Sequence, residues 1–114
     1  MATTLGTVTR EELQRKIERG EEFVLVDALA PISFAASHLP GAISMPPGTV
    51  DERAAKRIPD QDTEVVVYCT SETCDASIAV GIRLIELGYA DVRHYAGGKQ
   101  EWADAGLPLE GGRV

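Results

Sequence analysis

The chain has 114 residues, of which 44% are hydrophobic and 25% charged, and we expect residues 1–114 to form a single globular domain. Its formal net charge of −7 at pH 7 argues against binding to nucleic acid or to an anionic membrane, because both need a positively charged protein surface. No apolar run approaches the ~20 residues that span a membrane, and the N-terminal residues lack a signal-peptide pattern, so a cytoplasmic location is expected.

Capping residues and hydrophobic periodicity predict helices that alternate with strands. Thr9 and Glu12 form a capping box at the start of the first helix, and Thr49 and Glu52 form a second one. In chain order, the predicted elements are a helix between Thr9 and Gly20, a strand at 23–27, a short helical turn at 32–37, a turn at 38–42 that leads into a brief strand at 42–45, a helix from 49 to 57, a strand at 65–68, a helix from 75 or 76 to 87, a strand at 92–95, a helix at 99–105 and an extended tail at 106–114. This alternation predicts an α/β fold with a mainly parallel β-sheet sandwiched by helices.

The predicted helix that ends at Leu87 is apolar on nearly all sides. Its two charged residues, Arg83 and Glu86, lie close together on one narrow polar stripe. Most of the surface of this helix is therefore expected to be buried.

Two polar side chains stand where predicted buried strands end, Asp27 in the first strand and Cys69 directly after the 65–68 strand. In parallel α/β sheets, ligands bind beyond these strand ends, where amides of a loop and of a helix start stabilise a sulfur anion. Cys69 is a candidate sulfur nucleophile, and a small buried core residue is the alternative interpretation. Asp27 is a candidate supporting residue through hydrogen bonds to loop amides, although a structural bond at the strand end is the favoured interpretation.

A series of short motifs, in order and at fitting spacings, resembles single-domain rhodaneses, a family of sulfurtransferases, over nearly the whole chain. The motifs are Val24-Leu25-Val26-Asp27, Ser37-His38-Leu39-Pro40-Gly41-Ala42-Ile43, Val66-Val67-Tyr68-Cys69, Glu86-Leu87-Gly88-Tyr89, Gly97-Gly98-Lys99-Gln100-Glu101-Trp102 and Ala105-Gly106-Leu107-Pro108. The resemblance implies a rhodanese fold with Cys69 as the catalytic cysteine, which takes a sulfane sulfur from a donor, becomes a persulfide and passes the sulfur to a nucleophilic acceptor. It also implies that no cofactor is needed.

The loop after Cys69 departs from the family pattern, which reads approximately Cys-x-x-Gly-x-Arg-Ser before the helix. The predicted active-site and substrate-binding residues of this atypical loop are Thr70, Ser71, Glu72, Thr73, Cys74, Asp75, Ala76 and Ser77. The loop is about two residues longer than in common members, has neither that glycine nor that arginine, and carries the carboxylates Glu72 and Asp75 instead. Because carboxylates repel anions, thiosulfate is expected to be a poor donor and a larger or protein-bound persulfide a better one. The acidic Asp75, where a phosphate-binding loop needs a cation, argues against phosphatase or arsenate-reductase activity.

Cys74 is the second of the two cysteines in the chain, and its role has two interpretations. It is either a loop residue that packs against the helix start, or a resolving thiol that attacks the Cys69 persulfide, releases sulfide and leaves a Cys69–Cys74 disulfide. A structural disulfide is not expected in a reducing cytoplasm, since so short a loop gains little stability from one. No metal site is predicted, because the cysteines and the two histidines lack zinc-ligand spacing.

Three side chains outside the loop are expected to have structural or surface positions rather than roles in the chemistry. His38 is expected to be satisfied by backbone groups in its turn. Trp102 is expected to belong to the core, and Lys99 to be a solvated surface charge.

The sequence favours a cytoplasmic sulfurtransferase of the thiosulfate or persulfide type. Its expected partners are a small sulfur donor or acceptor, or a protein that carries a persulfide, with no nucleic acid and no membrane. Two alternatives stay open: a non-catalytic rhodanese-like binding or regulatory module, since a fold alone does not imply activity, and a dithiol redox protein that uses Cys69 and Cys74.

Overall fold

The computed structural model describes residues 5–71 and 74–111, and in these ranges the chain forms five strands and five helices. They are, in chain order, β1 (Gly6–Thr7), α1 (Arg10–Glu18), β2 (Val24–Asp27), α2 (Pro31–Ala36), β3 (Ile43–Ser44), α3 (Val50–Arg57), β4 (Glu64–Tyr68), α4 (Ala76–Glu86), β5 (Asp91–Tyr95) and α5 (Gly98–Asp104). The helices and strands predicted between residues 9 and 105 are confirmed, with small shifts at their ends, whereas β1 was not predicted. Residues 112–114 of the predicted extended tail lie outside the described residues. None of the helices in the described ranges is long and apolar enough to span a membrane.

The five strands form one parallel sheet in the order β1-β5-β4-β2-β3, with β4 in the middle. Tyr68, the last residue of β4, is paired with Asp27 of β2 on one side and with Tyr95 of β5 on the other. Because parallel strands run in the same direction, their carboxyl ends share one edge of the sheet. Cys69, the next residue after β4, lies at the centre of that edge. The predicted α/β fold with a mainly parallel sheet is confirmed.

Side chains of β4 point alternately to the two faces of the sheet and enter two hydrophobic cores. Val65 and Val67 belong to the core that α3 and α4 cover, together with Val80 and Leu84. The core on the opposite face, which α1 and α5 cover, includes Leu13, Val66, Tyr68 and Trp102. Helices therefore sandwich the sheet, and Trp102 lies in the core as predicted.

The two predicted capping boxes have different outcomes. At α1, the Thr9 hydroxyl accepts from the N–H of Glu12 at 3.1 Å and the Glu12 carboxylate accepts from the N–H of Thr9 at 2.9 Å, so this box is confirmed. At α3, the box predicted for Thr49 and Glu52 is wrong, since no side-chain hydrogen bond caps the helix. The Thr49 hydroxyl donates instead to the carbonyl of Pro46 at 2.6 Å, and the Thr49 backbone is helical (φ −109°, ψ −2°) rather than extended.

Helix α4 is buried along one stripe only, so the prediction that most of its surface is buried is wrong. The stripe consists of Ser77, Val80, Gly81 and Leu84. Ile78 and Ile82 are 36% and 47% exposed. The sheet and α3 cover a single side of α4, and an apolar composition alone does not reveal which sides of a helix its neighbours cover.

The tail after α5 returns to the turn that follows α2. Glu110 and His38 form an antiparallel bridge with two backbone hydrogen bonds of 2.8 and 2.9 Å. The Glu110 carboxylate also accepts from the N–H of Gly41 at 2.9 Å. Nδ1 of His38 lies 2.9 Å from the carbonyl oxygen of Phe34, so a backbone group satisfies this ring as expected.

Candidate active site

Cys69 is held at the carboxyl end of the central strand by the start of α5. The residue is 1% exposed. Its carbonyl accepts a hydrogen bond of 3.0 Å from the N–H of Lys99, and the carbonyl of Thr70 accepts one of 2.7 Å from the N–H of Gln100. The sheet therefore fixes Cys69 on its N-terminal side, and α5 fixes the beginning of the loop.

Gly98 allows α5 to approach Cys69 this closely because it has no side chain. A Cβ atom at this position would lie 2.6 Å from the carbonyl oxygen of Cys69 and 2.8 Å from that of Thr70. The φ angle of Gly98 is +66°, which lies in the left-handed region that favours glycine. The Gly97-Gly98 turn predicted from the sequence thus also supplies a close backbone contact with the candidate nucleophile.

Cys69 is joined to Cys74 by a disulfide, with 6.2 Å between the two Cα atoms. The bond joins the two cysteines that the resolving-thiol interpretation of Cys74 pairs. The loop turns back at Ser71, whose carbonyl accepts from the N–H of Cys74 at 3.1 Å, and this turn brings the cysteines within disulfide reach. Cys74 is half-buried, whereas Cys69 is buried, so Cys74 is the outer member of the pair.

The remaining predicted loop residues differ in exposure. Thr70 and Asp75 are exposed, Ser71 and Ala76 are half-buried, and Ser77 is buried. Asp75 precedes α4 and makes no side-chain hydrogen bond that caps the helix. Glu72 and Thr73 lie outside the described residues. Binding of a substrate by this loop stays a prediction.

The carboxylate of Asp27 is fully buried and accepts two hydrogen bonds. One comes from the N–H of Leu29 at 2.8 Å and the other from the hydroxyl of Tyr68 at 2.7 Å. Burial, followed by the charge of Asp27, raises the pKa of Tyr68 far above its usual value, so the phenol stays protonated and donates. Asp27 therefore binds the residue that precedes Cys69 and the backbone after β2.

Ser77 and His94 form a hydrogen-bonded pair between α4 and β5 that sequence reasoning missed. Oγ of Ser77 lies 2.8 Å from Nε2 of His94, and Ser77 is fully buried. Burial lowers the pKa of His94 below its usual 6.5, which favours the neutral ring. The available signal was positional, because Ser77 lies in the first turn of the helix after the loop and His94 near the end of the strand beside β4. No three His, Cys, Asp or Glu side chains of residues 5–71 and 74–111 come together as a candidate metal site.

An open cleft of about 370 Å³ lies beside the loop. The described residues that line it are Ser71, Gly97, Gln100, Glu101 and Asp104. The charged side chains in this set, Glu101 and Asp104, are both acidic. Their field disfavours a small anion that approaches the loop by this route.

Lys99 lines a neighbouring cleft together with Thr70 and Ser37. Its ammonium group donates to the carbonyls of Ser37 at 2.6 Å and Ser33 at 3.3 Å, so the expectation of a solvated surface charge is wrong. These bonds hold the end of α2 against α5 and occupy two of the three ammonium protons.

Comparison with known families and structures agrees with this architecture. The model of the rhodanese-like domain family matches residues 9–105, a range that includes Cys69, its loop and all five helices. The structure of a thiosulfate sulfurtransferase from Pseudomonas aeruginosa is similar, with a TM-score of 0.83 and 28% identity, over 96% of this chain and 21% of that chain. The predicted rhodanese fold is confirmed.

Curated relatives include a regulator as well as a sulfurtransferase. The HTH-type transcriptional regulator Rv0324 of Mycobacterium tuberculosis is 34% identical over 105 residues, which is 92% of this chain and 45% of the regulator. The thiosulfate sulfurtransferase PspE of Escherichia coli is 36% identical over 78 residues, which is 68% of this chain and 72% of PspE. This chain therefore spans less than half the length of that regulator.

Proposed function

Because the chain belongs to the rhodanese-like domain family, we propose that it is a sulfurtransferase that carries a sulfane sulfur as a persulfide on Cys69. The position of Cys69 carries this proposal, since it follows the central strand directly and its carbonyl is anchored by the start of α5. In parallel α/β sheets, reactions take place at this edge. The similarity to PspE and to the Pseudomonas aeruginosa sulfurtransferase supports the same class of activity.

In the proposed reaction, sulfur moves in two nucleophilic steps. The thiolate of Cys69 attacks the outer sulfur of a persulfide donor, the sulfur–sulfur bond of the donor breaks, and the donor leaves as a thiolate with the electron pair. A second nucleophile then attacks the terminal sulfur on Cys69 and releases the Cys69 thiolate. Two such displacements return the protein to its starting state without a cofactor.

The disulfide between Cys69 and Cys74 is the oxidised form of this site. A sulfur bonded to another cysteine carries no thiolate charge and does not attack a donor, so a reductant has to open the bond before the first turnover. Assays therefore begin with protein that has been reduced and then freed of reductant.

We expect persulfides to be better donors than thiosulfate. Thiosulfate is a small dianion whose charges lie on the group that has to enter the site, where Glu101 and Asp104 line the adjoining cleft. A larger persulfide, or one carried by a protein, keeps its other charges further from the transferred sulfur. The proposed partners are accordingly a low-molecular-weight persulfide or a persulfide-carrying protein, in the reducing cytoplasm where we place the activity.

Intact-mass measurement of reduced protein tests whether Cys69 carries sulfur. The measurement uses a Cys74→Ser background, so that the second thiol does not compete. Incubation with glutathione persulfide is expected to add one sulfur atom, which a later thiol treatment removes. The double variant Cys69→Ser/Cys74→Ser is expected to gain none. A Cys74→Ser chain that takes no sulfur from glutathione persulfide or thiosulfate overturns the proposal and favours a non-catalytic binding or regulatory module.

A kinetic comparison of donors tests the expected selectivity. The kcat/KM of the reduced wild type is expected to be lower for thiosulfate than for glutathione persulfide, and Glu101→Gln or Asp104→Asn is expected to raise the thiosulfate value. Glu22→Gln is the control, because Glu22 is exposed, precedes β2 and does not line the cleft. A thiosulfate kcat/KM that rivals that of every persulfide tested contradicts this part of the proposal.

A further inference from the structure

We propose that Cys74 is a second catalytic cysteine, which resolves the Cys69 persulfide and makes this chain a persulfide reductase. Cys74 attacks the persulfide, sulfide leaves, and the Cys69–Cys74 disulfide is the product. The inference rests on the proposed function, because it starts from a sulfur already carried by Cys69. It differs from that function in its output, which is free sulfide and an oxidised protein rather than sulfur transferred to an acceptor.

The disulfide shows that Sγ of Cys74 reaches Sγ of Cys69 in this fold. The Cα–Cα distance of 6.2 Å lies within the range of ordinary disulfides, so the backbone already has the spacing that the product needs. The Sγ atom of Cys69 is also the atom that a resolving thiol has to attack, because displacement there expels the terminal sulfur.

Besides the disulfide, backbone hydrogen bonds hold both cysteines in position. The carbonyls of Cys69 and Thr70 are bonded to the amides of Lys99 and Gln100. On the other side of the loop, the amide of Cys74 donates to the carbonyl of Ser71 at 3.1 Å. None of these bonds involves a sulfur atom, so they can also form in the reduced chain, and we expect Cys74 to stay close to Cys69 after reduction.

The resolving step balances in atoms and electrons. The sulfur of Cys74 forms a bond to Sγ of Cys69, and the bond between Sγ of Cys69 and the carried sulfur breaks. The electron pair of the broken bond and the proton of the Cys74 thiol leave with that sulfur as hydrosulfide. The sulfane sulfur is reduced to sulfide, and the two cysteine sulfurs are oxidised to the disulfide.

An external dithiol closes the cycle. Cys74 is half-buried and Cys69 is 1% exposed, so the incoming thiolate reaches Cys74 first. Attack there forms a mixed disulfide with Cys74 and releases Cys69 as the thiolate, and the second thiol of the reductant then frees Cys74. The dithiol is oxidised by two electrons and supplies two protons in each cycle.

Resolution competes with transfer to an external acceptor. Because Cys74 is part of the same loop, its attack is intramolecular and has the advantage of a high effective concentration. Sulfide release is therefore expected to dominate when acceptors are scarce.

A single-turnover experiment separates the two roles of Cys69 and Cys74. Reduced wild type, Cys74→Ser and Cys69→Ser are each freed of reductant and then mixed with one equivalent of glutathione persulfide. Sulfide is then measured over time, and intact mass at the end. The wild type is expected to release one sulfide per chain and to end two hydrogens lighter than its reduced form. Cys74→Ser is expected to keep the added sulfur and to release sulfide at least about tenfold more slowly.

Each outcome assigns a failure to one proposal. If the wild type also keeps its sulfur as a stable adduct, the inference is wrong while the proposed function stands. If Cys74→Ser gains no sulfur, the proposed function fails. Melting temperatures of the wild type and Cys74→Ser, both measured in excess dithiol, show whether the variant is folded. Cys69→Ser adds a separate check, because a disulfide reagent is expected to form a mixed disulfide with Cys74 in this variant. Failure to form one contradicts the inference that an external reagent reaches Cys74.

Discussion

The hydroxyl of Tyr68 donates a hydrogen bond of 2.7 Å to Oδ2 of Asp27, and both residues are fully buried. The same hydroxyl accepts a hydrogen bond of 2.9 Å from the N–H of Leu39. One phenol group therefore links the ends of β2 and β4 to the turn after α2. These bonds fix the strand end from which Cys69 follows.

Replacing Tyr68 by Phe is expected to lower the free energy of unfolding by about 2–4 kcal/mol, because a carboxylate oxygen of Asp27 and the N–H of Leu39 lose their buried partner. Urea unfolding measures the change. In a double-mutant cycle with Asp27→Asn, the two substitutions together are expected to cost less than the sum of the single effects. Strictly additive effects would contradict a direct bond between the two side chains.

Replacing Gly98 by Ala is expected to cost about 3 kcal/mol or more, because strain at positive φ adds to overlap with the backbone at Cys69. The matched control is Gly41→Ala, since Gly41 has a φ of +78° and its Cβ would meet nothing within 4 Å. The control is expected to cost only the conformational strain, about 1–2 kcal/mol. Thermal unfolding of both variants measures the difference, and equal losses are inconsistent with the close contact at Cys69.

Stability is expected to fall at acidic pH through His94. Burial lowers the pKa of His94 in the folded chain below 6.5, so the unfolded chain binds more protons between the folded pKa and 6.5. The stability that neutral His94 contributes to the folded chain is complete above pH 6.5, and it is lost as the pH falls through the pKa of His94 in the folded chain. Urea unfolding at about pH 8 and about pH 5 measures it, with His94→Gln as the reference that does not titrate. An unchanged stability difference between the wild type and His94→Gln at both pH values contradicts this role.

The two sides of α4 are expected to respond differently to substitution. Ile82→Ser changes a side chain that is 47% exposed, and its effect on the free energy of unfolding is expected to stay within about 0.5 kcal/mol. Leu84→Ala removes a fully buried side chain and is expected to cost about 2–5 kcal/mol. Denaturant midpoints of the two variants test the contrast, and a large loss at Ile82 means that something covers this side in solution.

Signals confined to a few neighbouring residues predicted most of the fold. The capping box of Thr9 and Glu12 and the apolar run before Asp27 depend on residues within four positions of one another, so they are readable in the sequence. The place of Cys69 followed from the same kind of signal, because a buried strand ends directly before it. Its disulfide with Cys74 was one of two alternatives in the sequence, since the reach of the second sulfur depends on the turn of the loop and the bond itself depends on the redox conditions.

The features that the sequence pattern did not reveal depend on contacts between distant segments. Nothing in the residues around Ser77 indicates that His94 lies beside it, and nothing around Gly98 indicates the carbonyl of Cys69. The failed cap at Thr49 has a different cause, because the local pattern was present but the Thr49 backbone is helical rather than extended, and its hydroxyl donates to the carbonyl of Pro46. A capping pattern is a weak guide wherever the chain already turns before the helix begins.

Strand β4 and the loop that follows it are expected to exchange their amide hydrogens with solvent at very different rates. The amides of β4 lie between two paired strands, so they exchange only when the sheet itself opens. The amide of Cys74 is bonded only across a local turn and exchanges by small openings. Reduction of the disulfide is therefore expected to speed deuterium uptake in the loop and leave that of β4 unchanged. The sulfur chemistry that we propose at Cys69 then needs no unfolding of the sheet that supports it.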